Sequence, residues 1–188
     1  MARRAVFLDL HGTLGDVKGD VLGDFPDFAW YDCAQPAIRA LHDADILAIA
    51  LTNQARIGAG RFTMAAFEKR SAELQDELGG RGARLDAVYC CPHGPEDGCP
   101  CRKPARALAD RAAGDFNIDL DTSFVVGDTG ATDVLLARAI GATAVLVRTG
   151  WGEGSLGEYR HTWAETEADY VAADVLDAVG WILRQRLG

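Results

Sequence analysis

Short apolar runs alternate with amphipathic stretches along the chain. Runs rich in β-branched or aromatic residues cover positions 5–8, 46–51, 87–90, 123–126 and 144–147, with a weaker one at 170–172. Their length and lack of period-two alternation fit strands buried on both faces. Between them the period changes to that of a helix. Residues 35–42 have Pro36 placed to start one, with Ile38 and Leu41 on a single face. The clearest helix runs from Thr63 as N-cap to Gly79 as its stop, with Met64, Phe67, Leu74 and Leu78 along one stripe. Residues 104–113 and 132–140 read as further helices, and Asp174 caps a last one containing Val175, Val179 and Leu183. Alternating strands and helices of this kind predict an α/β protein, a mostly parallel sheet covered by helices on both faces.

Three of these strands end in chemically useful residues. The first runs into FLDLHGTL, so Asp9 stands at the carboxyl edge of a sheet, followed by His11 on a glycine turn at Gly12. The second closes on LTNQ at Leu51–Gln54 and the fourth on VVGD at Val125–Asp128. In open α/β sheets that edge is where ligands bind. If the three strands are neighbours, Asp9, Thr52 and Asp128 converge on one crevice. The two carboxylates would repel each other without a cation between them, and Mg²⁺, a hard ion with oxygen ligands, suits the place. Lys103, in CRKP, is expected at the start of the helix over 104–113, where ammonium and helix dipole would together attract an anion.

Composition narrows the picture. The 188 residues, 48% hydrophobic and 25% charged, suit one globular domain spanning 1–188. A net charge of −9, from 28 acidic against 19 basic residues, argues against a nucleic-acid surface but leaves room for a small phosphorylated ligand. The apolar stretch near the start ends at Asp9, too early for a signal peptide, and no run approaches the ~20 residues of a membrane span. The expectation is a cytoplasmic protein, a monomer or small homo-oligomer, that engages neither nucleic acid nor membrane.

Five cysteines in such a chain suggest metal before disulfides. The run CCPHGPEDGCPCRKP holds Cys91-x-His93 and, five residues on, Cys99-x-Cys101. Three thiolates and an imidazole at this spacing fit tetrahedral Zn²⁺, and a closed set of four makes it structural. Cys90 and Cys33 are read as buried thiols. Zinc would order the loop over about 90–103 that leads into Arg102 and Lys103.

DLHGT, LTNQ, CRKP and GDTGATD, in that order, resemble the four motifs of the haloacid dehalogenase (HAD) superfamily of phosphohydrolases. Within it the chain is most similar to the D-glycero-D-manno-heptose 1,7-bisphosphate phosphatase and histidinol-phosphate phosphatase group, including the CxH…CxC run. The resemblance implies a three-layer Rossmann-like HAD fold with one zinc-binding loop. It implies Asp9 as the nucleophile that forms an aspartyl phosphate. Mg²⁺ would be held by Asp9, Asp128 and the backbone carbonyl of His11. Thr52 and Lys103 would bind the phosphoryl oxygens. Asp133 would support the metal from the following helix, although it stands one residue later than in the commonest GDxxxD spacing; a carboxylate serving only that helix's N-terminus is the alternative. Arg102 resembles the residue that grips the non-reacting part of the substrate, with a solvated salt bridge as its alternative. Asn53, Gln54 and Arg56 are expected to line the mouth.

His11 departs from the family's DxDGT pattern, in which a second Asp protonates the leaving oxygen and then activates water. Histidine can move protons near neutral pH. The neighbouring carboxylates would raise its pKa and Mg²⁺ would lower it. Neither the insertion after the first motif, 15–33, nor that between Thr52 and Lys103 has room for a cap domain. Asp20, Asp24, Asp27 and the aromatics Phe25, Phe28, Trp30 and Tyr31 either flank substrate or, as the aromatics suggest, pack a flap onto the core. The expected function is hydrolysis of a sugar phosphate, a heptose bisphosphate or a relative of it. Histidinol phosphate is the alternative substrate, and a phosphate-binding or regulatory domain impaired by His11 is the alternative class.

Overall fold

A computed structural model describes residues 2–18, 27–80 and 82–185. Six strands form one sheet in which every pairing is parallel: β1 (Ala5–Leu8), β4 (Leu47–Asn53), β5 (Ala87–Cys91), β6 (Phe124–Gly127), β7 (Thr143–Val147) and β8 (Tyr170–Ala172). Their order is β5-β4-β1-β6-β7-β8. Among the described residues two further strands, β2 (Gly15–Lys18) and β3 (Asp27–Trp30), pair as a separate antiparallel hairpin after β1.

The order follows from the sequence by a simple route. From β1 the chain steps outward to β4 and β5, then returns to the other side of β1 and continues through β6, β7 and β8. Where the direction reverses, the connections leave β1 on opposite sides and a crevice opens at its carboxyl end. Asp9 follows β1 there, and its N–H donates to the Val126 carbonyl of β6 at 2.9 Å.

Residues of β1 alternate between two cores, as a period of two requires. Val6 and Leu8 face one cluster, closed by α1 (Ala34–Asp43), α3 (Met64–Gly79) and α7 (Val175–Arg184) through Ile38, Leu41, Phe67, Leu74, Leu78, Val179 and Ile182. Ala5 and Phe7 face the other, closed by α4 (Ala107–Phe116) and α5 (Leu135–Ile140) through Leu108, Ala112, Leu136 and Ile140. Each large side chain buried this way contributes about 1.5–3 kcal/mol. That double burial explains the uninterrupted apolar runs of the strands. The caps expected at Thr63 and Asp174 are both made: Thr63 Oγ1 accepts from Ala66 N at 3.1 Å, and Asp174 accepts from Leu176 N and Asp177 N.

Two expectations change. The helix expected over 104–113 begins only at Ala107, because 102–106 turn tightly first, with Ala105 N donating to Arg102 O and Ala107 N to Pro100 O. Lys103 therefore lies on the loop and not at a helix start. The helix expected from Thr132 opens earlier, as a wide π-type turn over Gly130–Val134. Of the flap residues, Asp20, Asp24 and Phe25 lie outside the described residues. Phe28 is buried in the first core, and Trp30 packs edge-on against it with ring centroids 5.1 Å apart. These two aromatics anchor the hairpin. Among the described residues neither insertion forms a cap.

Candidate active site

The crevice at the end of β1 brings together residues from every motif. Lys103 is the hub. Its Nζ donates to Asp9 Oδ1 at 2.6 Å and to Asp133 Oδ1 at 2.7 Å, with its side chain only 2% exposed. Burial alone would favour its neutral form, but the carboxylates of Asp133 and Asp9 outweigh that and raise its pKa. An ammonium has three protons to donate. Two are committed here, and the third remains for a ligand in the cavity that Lys103 lines.

Asp128 crowds against this pair. Its burial, then the nearby Asp9 and Asp133, push its pKa up to about 7, against the pull of Trp151 N–H and the Thr129 hydroxyl. Asp133 is shifted the same way, chiefly by burial, with Lys103 opposing. Carboxylate oxygens of Asp9, Asp128 and Asp133 can all lie within 4.8 Å of one another. Three carboxylates, those of Asp128 and Asp133 buried and that of Asp9 half-buried, with one lysine between them leave unbalanced negative charge, which a hard divalent cation relieves. The donor set therefore fits Mg²⁺. Both Asp133 oxygens are already engaged, one by Lys103 and the other by Thr129 N at 3.1 Å. That is the disposition of a residue supporting the site from behind.

The π-type turn explains how Asp133 reaches this position. A π-turn accommodates one residue more than an α-turn. The extra residue between Asp128 and Asp133 is absorbed there, and the carboxylate returns to the crevice.

Thr52 is 1% exposed, and its Oγ1 accepts from Gln54 Nε2 at 3.0 Å. The hydroxyl proton is thus left to donate. Gln54 Nε2 also lies 3.3 Å from His11 Nε2, an arrangement in which the amide donates and the imidazole accepts. Burial is the largest influence on His11 and lowers its pKa to about 4; Asp16 opposes, while Lys103 and Arg56 add to the lowering. The sequence leaves the charge of His11 open between neighbouring carboxylates and Mg²⁺; in the fold burial dominates, and the ring of Phe28 lies 5.7 Å away. His11 is neutral at pH 7.

Asn53 lines both chambers of the crevice, but its amide is spent on the protein. Its Oδ1 accepts from Lys103 N at 3.0 Å and its Nδ2 donates to Lys103 O at 3.1 Å. This two-point clamp fixes the backbone that carries the lysine. Arg56 and Gln54 line a chamber of about 500 Å³ with His11, Asp16, Asn53 and Trp151. An inner chamber of about 350 Å³ holds Asp9, Thr52, Lys103, Asp128 and Arg102. Arg102 Nη1 donates to the His93 carbonyl at 3.2 Å.

One segment had gone unnoticed in the sequence. Thr149, Gly150 and Trp151 follow β7 and close the crevice. Thr149 Oγ1 donates to Gly12 O at 2.6 Å, and Trp151 N donates to Asp128 Oδ2 at 2.8 Å. Gly12 (φ +80°) and Gly150 (φ +56°) pack so closely under Asp128 that a Cβ on either would stand 1.9 or 2.2 Å from Oδ2. The only sequence signal was an apolar strand ending in a glycine at the same sheet edge as the other motifs.

Four sulfur and nitrogen ligands converge beside Arg102. Cys91, Cys99 and Cys101 Sγ atoms are 3.0–3.6 Å apart, and His93 Nδ1 lies 3.6 Å from Cys91 and 3.2 Å from Cys101. A tetrahedral zinc site has S···S edges of about 3.8 Å and S···N edges of about 3.5 Å. The observed edges approach those of a single-ion site. Burial disfavours the Cys99 thiolate, yet the N–H groups of Cys101 and Arg102 outweigh it and bring the pKa down to about 7. Cys90, half-buried against the core, is pushed up to about 12 by burial. It is a packing residue, and Cys33 is likewise half-buried against the core.

The fold and the four converging segments define a HAD-type hydrolase, and a HAD-hydrolase-like family model matches residues 100–178. The chain belongs, within that class, to the D-glycero-D-manno-heptose-1,7-bisphosphate 7-phosphatase family of phosphoric monoester hydrolases. It is 35% identical to the D-glycero-beta-D-manno-heptose-1,7-bisphosphate 7-phosphatase of Haemophilus ducreyi, over 97% of this chain and 100% of the relative. The Thermosynechococcus vestitus enzyme is 36% identical, over 97% and 96%. The crystal structure of D,D-heptose 1,7-bisphosphate phosphatase from B. bronchiseptica, complexed with magnesium and phosphate, matches with a TM-score of 0.83 at 28% identity, covering 97% of this chain and 99% of that one.

Proposed function

We propose that this chain is a Mg²⁺-dependent phosphatase acting on a heptose bisphosphate or a closely similar sugar bisphosphate. The observation that carries this reading is the Asp9–Lys103–Asp133 bridge, with Asp128 alongside, at the carboxyl end of the central strand. The 7-phosphatase relatives support the choice of substrate.

Asp9 attacks phosphorus through a carboxylate oxygen, the bond to the sugar oxygen breaks, and an aspartyl phosphate forms. Lys103 and the Thr52 hydroxyl donate to the phosphoryl oxygens, where charge spreads in the transition state. In the second half, water attacks phosphorus, the bond from Asp9 to phosphorus breaks to release phosphate, and His11 takes the water's proton at Nε2 as the Gln54 amide gives up its bond to that nitrogen. The first half needs a proton for the leaving oxygen, so His11 must be protonated to serve it. Mg²⁺, when bound, neutralises the carboxylates and the phosphoryl group. Asp9, Asp128 and the His11 carbonyl would hold it, with Asp133 behind them. Zn²⁺ at Cys91, His93, Cys99 and Cys101 would set the loop that presents Arg102 and Lys103. Arg102, in the inner chamber, and Arg56, in the outer one, would each offer a cation to the non-reacting part of the substrate.

We place the enzyme in the cytoplasm as a single domain, a monomer or small homo-oligomer; no described helix is long and apolar enough to cross a membrane. The neutral state of His11 favours one second reading, a phosphate-binding domain with little turnover. Phosphate release from heptose 1,7-bisphosphate and from histidinol phosphate with Mg²⁺ tests both, with Asp9→Asn as control. The heptose bisphosphate should be hydrolysed at least tenfold more efficiently, and the variant should be inert. Mg²⁺-dependent phosphate binding without release from any ester would instead support the binding domain.

A further inference from the structure

Trp151 is 66% exposed, and Tyr159 is 40% exposed; only Leu176 is another large apolar side chain so exposed among the described residues. The two rings meet edge to face, with centroids 5.9 Å apart at 73°. Isolated exposed aromatics are common. These two are paired, and Trp151 stands beside the reacting groups. Trp151 lines both chambers of the crevice, and with Tyr159, Thr129, Ser155 and Thr162 it lines a third space of about 320 Å³. Its position is set by the backbone, because its own N–H is tied to Asp128 and the preceding Thr149 to Gly12.

A substrate with its phosphoryl group at Asp9 and its far end beside Arg56 must cross from the inner chamber to the outer one. Three residues line both: His11, Asn53 and Trp151. His11 is engaged by Gln54, and the Asn53 amide is spent on Lys103. Trp151 contributes a broad, solvent-facing aromatic surface at this crossing.

We infer that Trp151, braced by Tyr159, is the platform for the C–H face of the sugar and determines specificity for phosphorylated sugars over smaller phosphate esters. The negative face of an aromatic ring suits polarised C–H groups, and a rigid ring loses little entropy on binding. This inference rests on the sugar-phosphate reading above.

The test compares kcat/KM for heptose 1,7-bisphosphate with that for acetyl phosphate, which has no carbon ring, in the full-length enzyme. In Trp151→Ala the ratio of the two should fall about fivefold to tenfold, mainly through KM for the sugar. Trp151→Phe should restore it. Because both substrates share one preparation, a general loss of activity cancels from the ratio. If the alanine variant does not fold, Trp151→Leu, apolar but without a ring face, makes the same comparison and should also lower the ratio. An unchanged ratio in a folded variant that still hydrolyses the sugar overturns the platform alone. A parent enzyme that hydrolyses acetyl phosphate but no sugar phosphate overturns the platform and the substrate reading together.

Discussion

Replacing Asp128 by Asn should make the magnesium-free protein more stable at neutral pH. Asp128 is held at about 7 by burial and by Asp9 and Asp133, against about 3.9 for an unfolded Asp. A folded-state pKa raised in this way contributes stability that is present below about pH 4 and lost as pH rises to about 7. The cost of ionising the folded-state group is about 4 kcal/mol at most, at 1.36 kcal/mol per pKa unit. Sharing of charge among the three carboxylates reduces this, so we expect about 2–4 kcal/mol. Asn can keep the local bonds, since its oxygen can accept from Trp151 N–H and its amide can donate to Thr129 Oγ1, the two groups now bonded to Asp128. Urea unfolding followed by tryptophan fluorescence, in buffer free of magnesium, measures the difference. Parent and variant should coincide near pH 4, and the variant should lead at pH 8. Added Mg²⁺ should reverse the order at about 1,000 times its Kd, where it adds about 4.1 kcal/mol to a protein that binds it, at least the variant's whole advantage. A variant no more stable than the parent at pH 8 without magnesium would refute the carboxylate repulsion.

His11→Ala should cut turnover about 10²-fold, and His11→Asp should match or exceed the parent; parent-like turnover in the alanine variant makes the histidine a bystander. Purified protein should carry about one zinc per chain by elemental analysis. Cys99→Ser should lose it and on the order of 3 kcal/mol or more, or about 6–12 °C in Tm; full retention of both contradicts the zinc site. Gly150→Ala should lose about 1–3 kcal/mol and most Mg²⁺ affinity, by calorimetric titration, since its Cβ would meet Asp128 from a left-handed backbone.

The strands of the sheet and the helices α1, α3 and α7 were legible because burial and capping leave local marks in the sequence. Asp9, Asp128 and the Cys/His set were legible because carboxylates and thiols of this kind are rarely brought together without a purpose. What stayed hidden was how side chains are used once folded. Asn53 and Gln54 look like ligand-binding groups in a string of letters, yet Asn53 is committed to Lys103 and Gln54 to His11 and Thr52. The Thr149–Trp151 segment acts partly through a backbone N–H, which every residue but proline possesses and which leaves no signature. The β2–β3 pairing lies where a short insertion shows little alternation. The start of α4 was misplaced because Pro104 fits a turn as readily as a first helical residue.

The contact between Phe28 and His11 has a consequence for how such an enzyme can change. Phe28 anchors the hairpin, and its ring lies against the imidazole. A hairpin beside the mouth is the natural place for evolution or an engineer to graft a new preference, since it lies outside the sheet. Here that graft would also alter how dry the imidazole is, and so how readily it exchanges protons. On the role proposed for His11, recognition and proton transfer would be geared together in this scaffold. A transplanted hairpin should shift the pH optimum along with the preferred ester, and successful transplants should carry a compensating change at position 11 or 54.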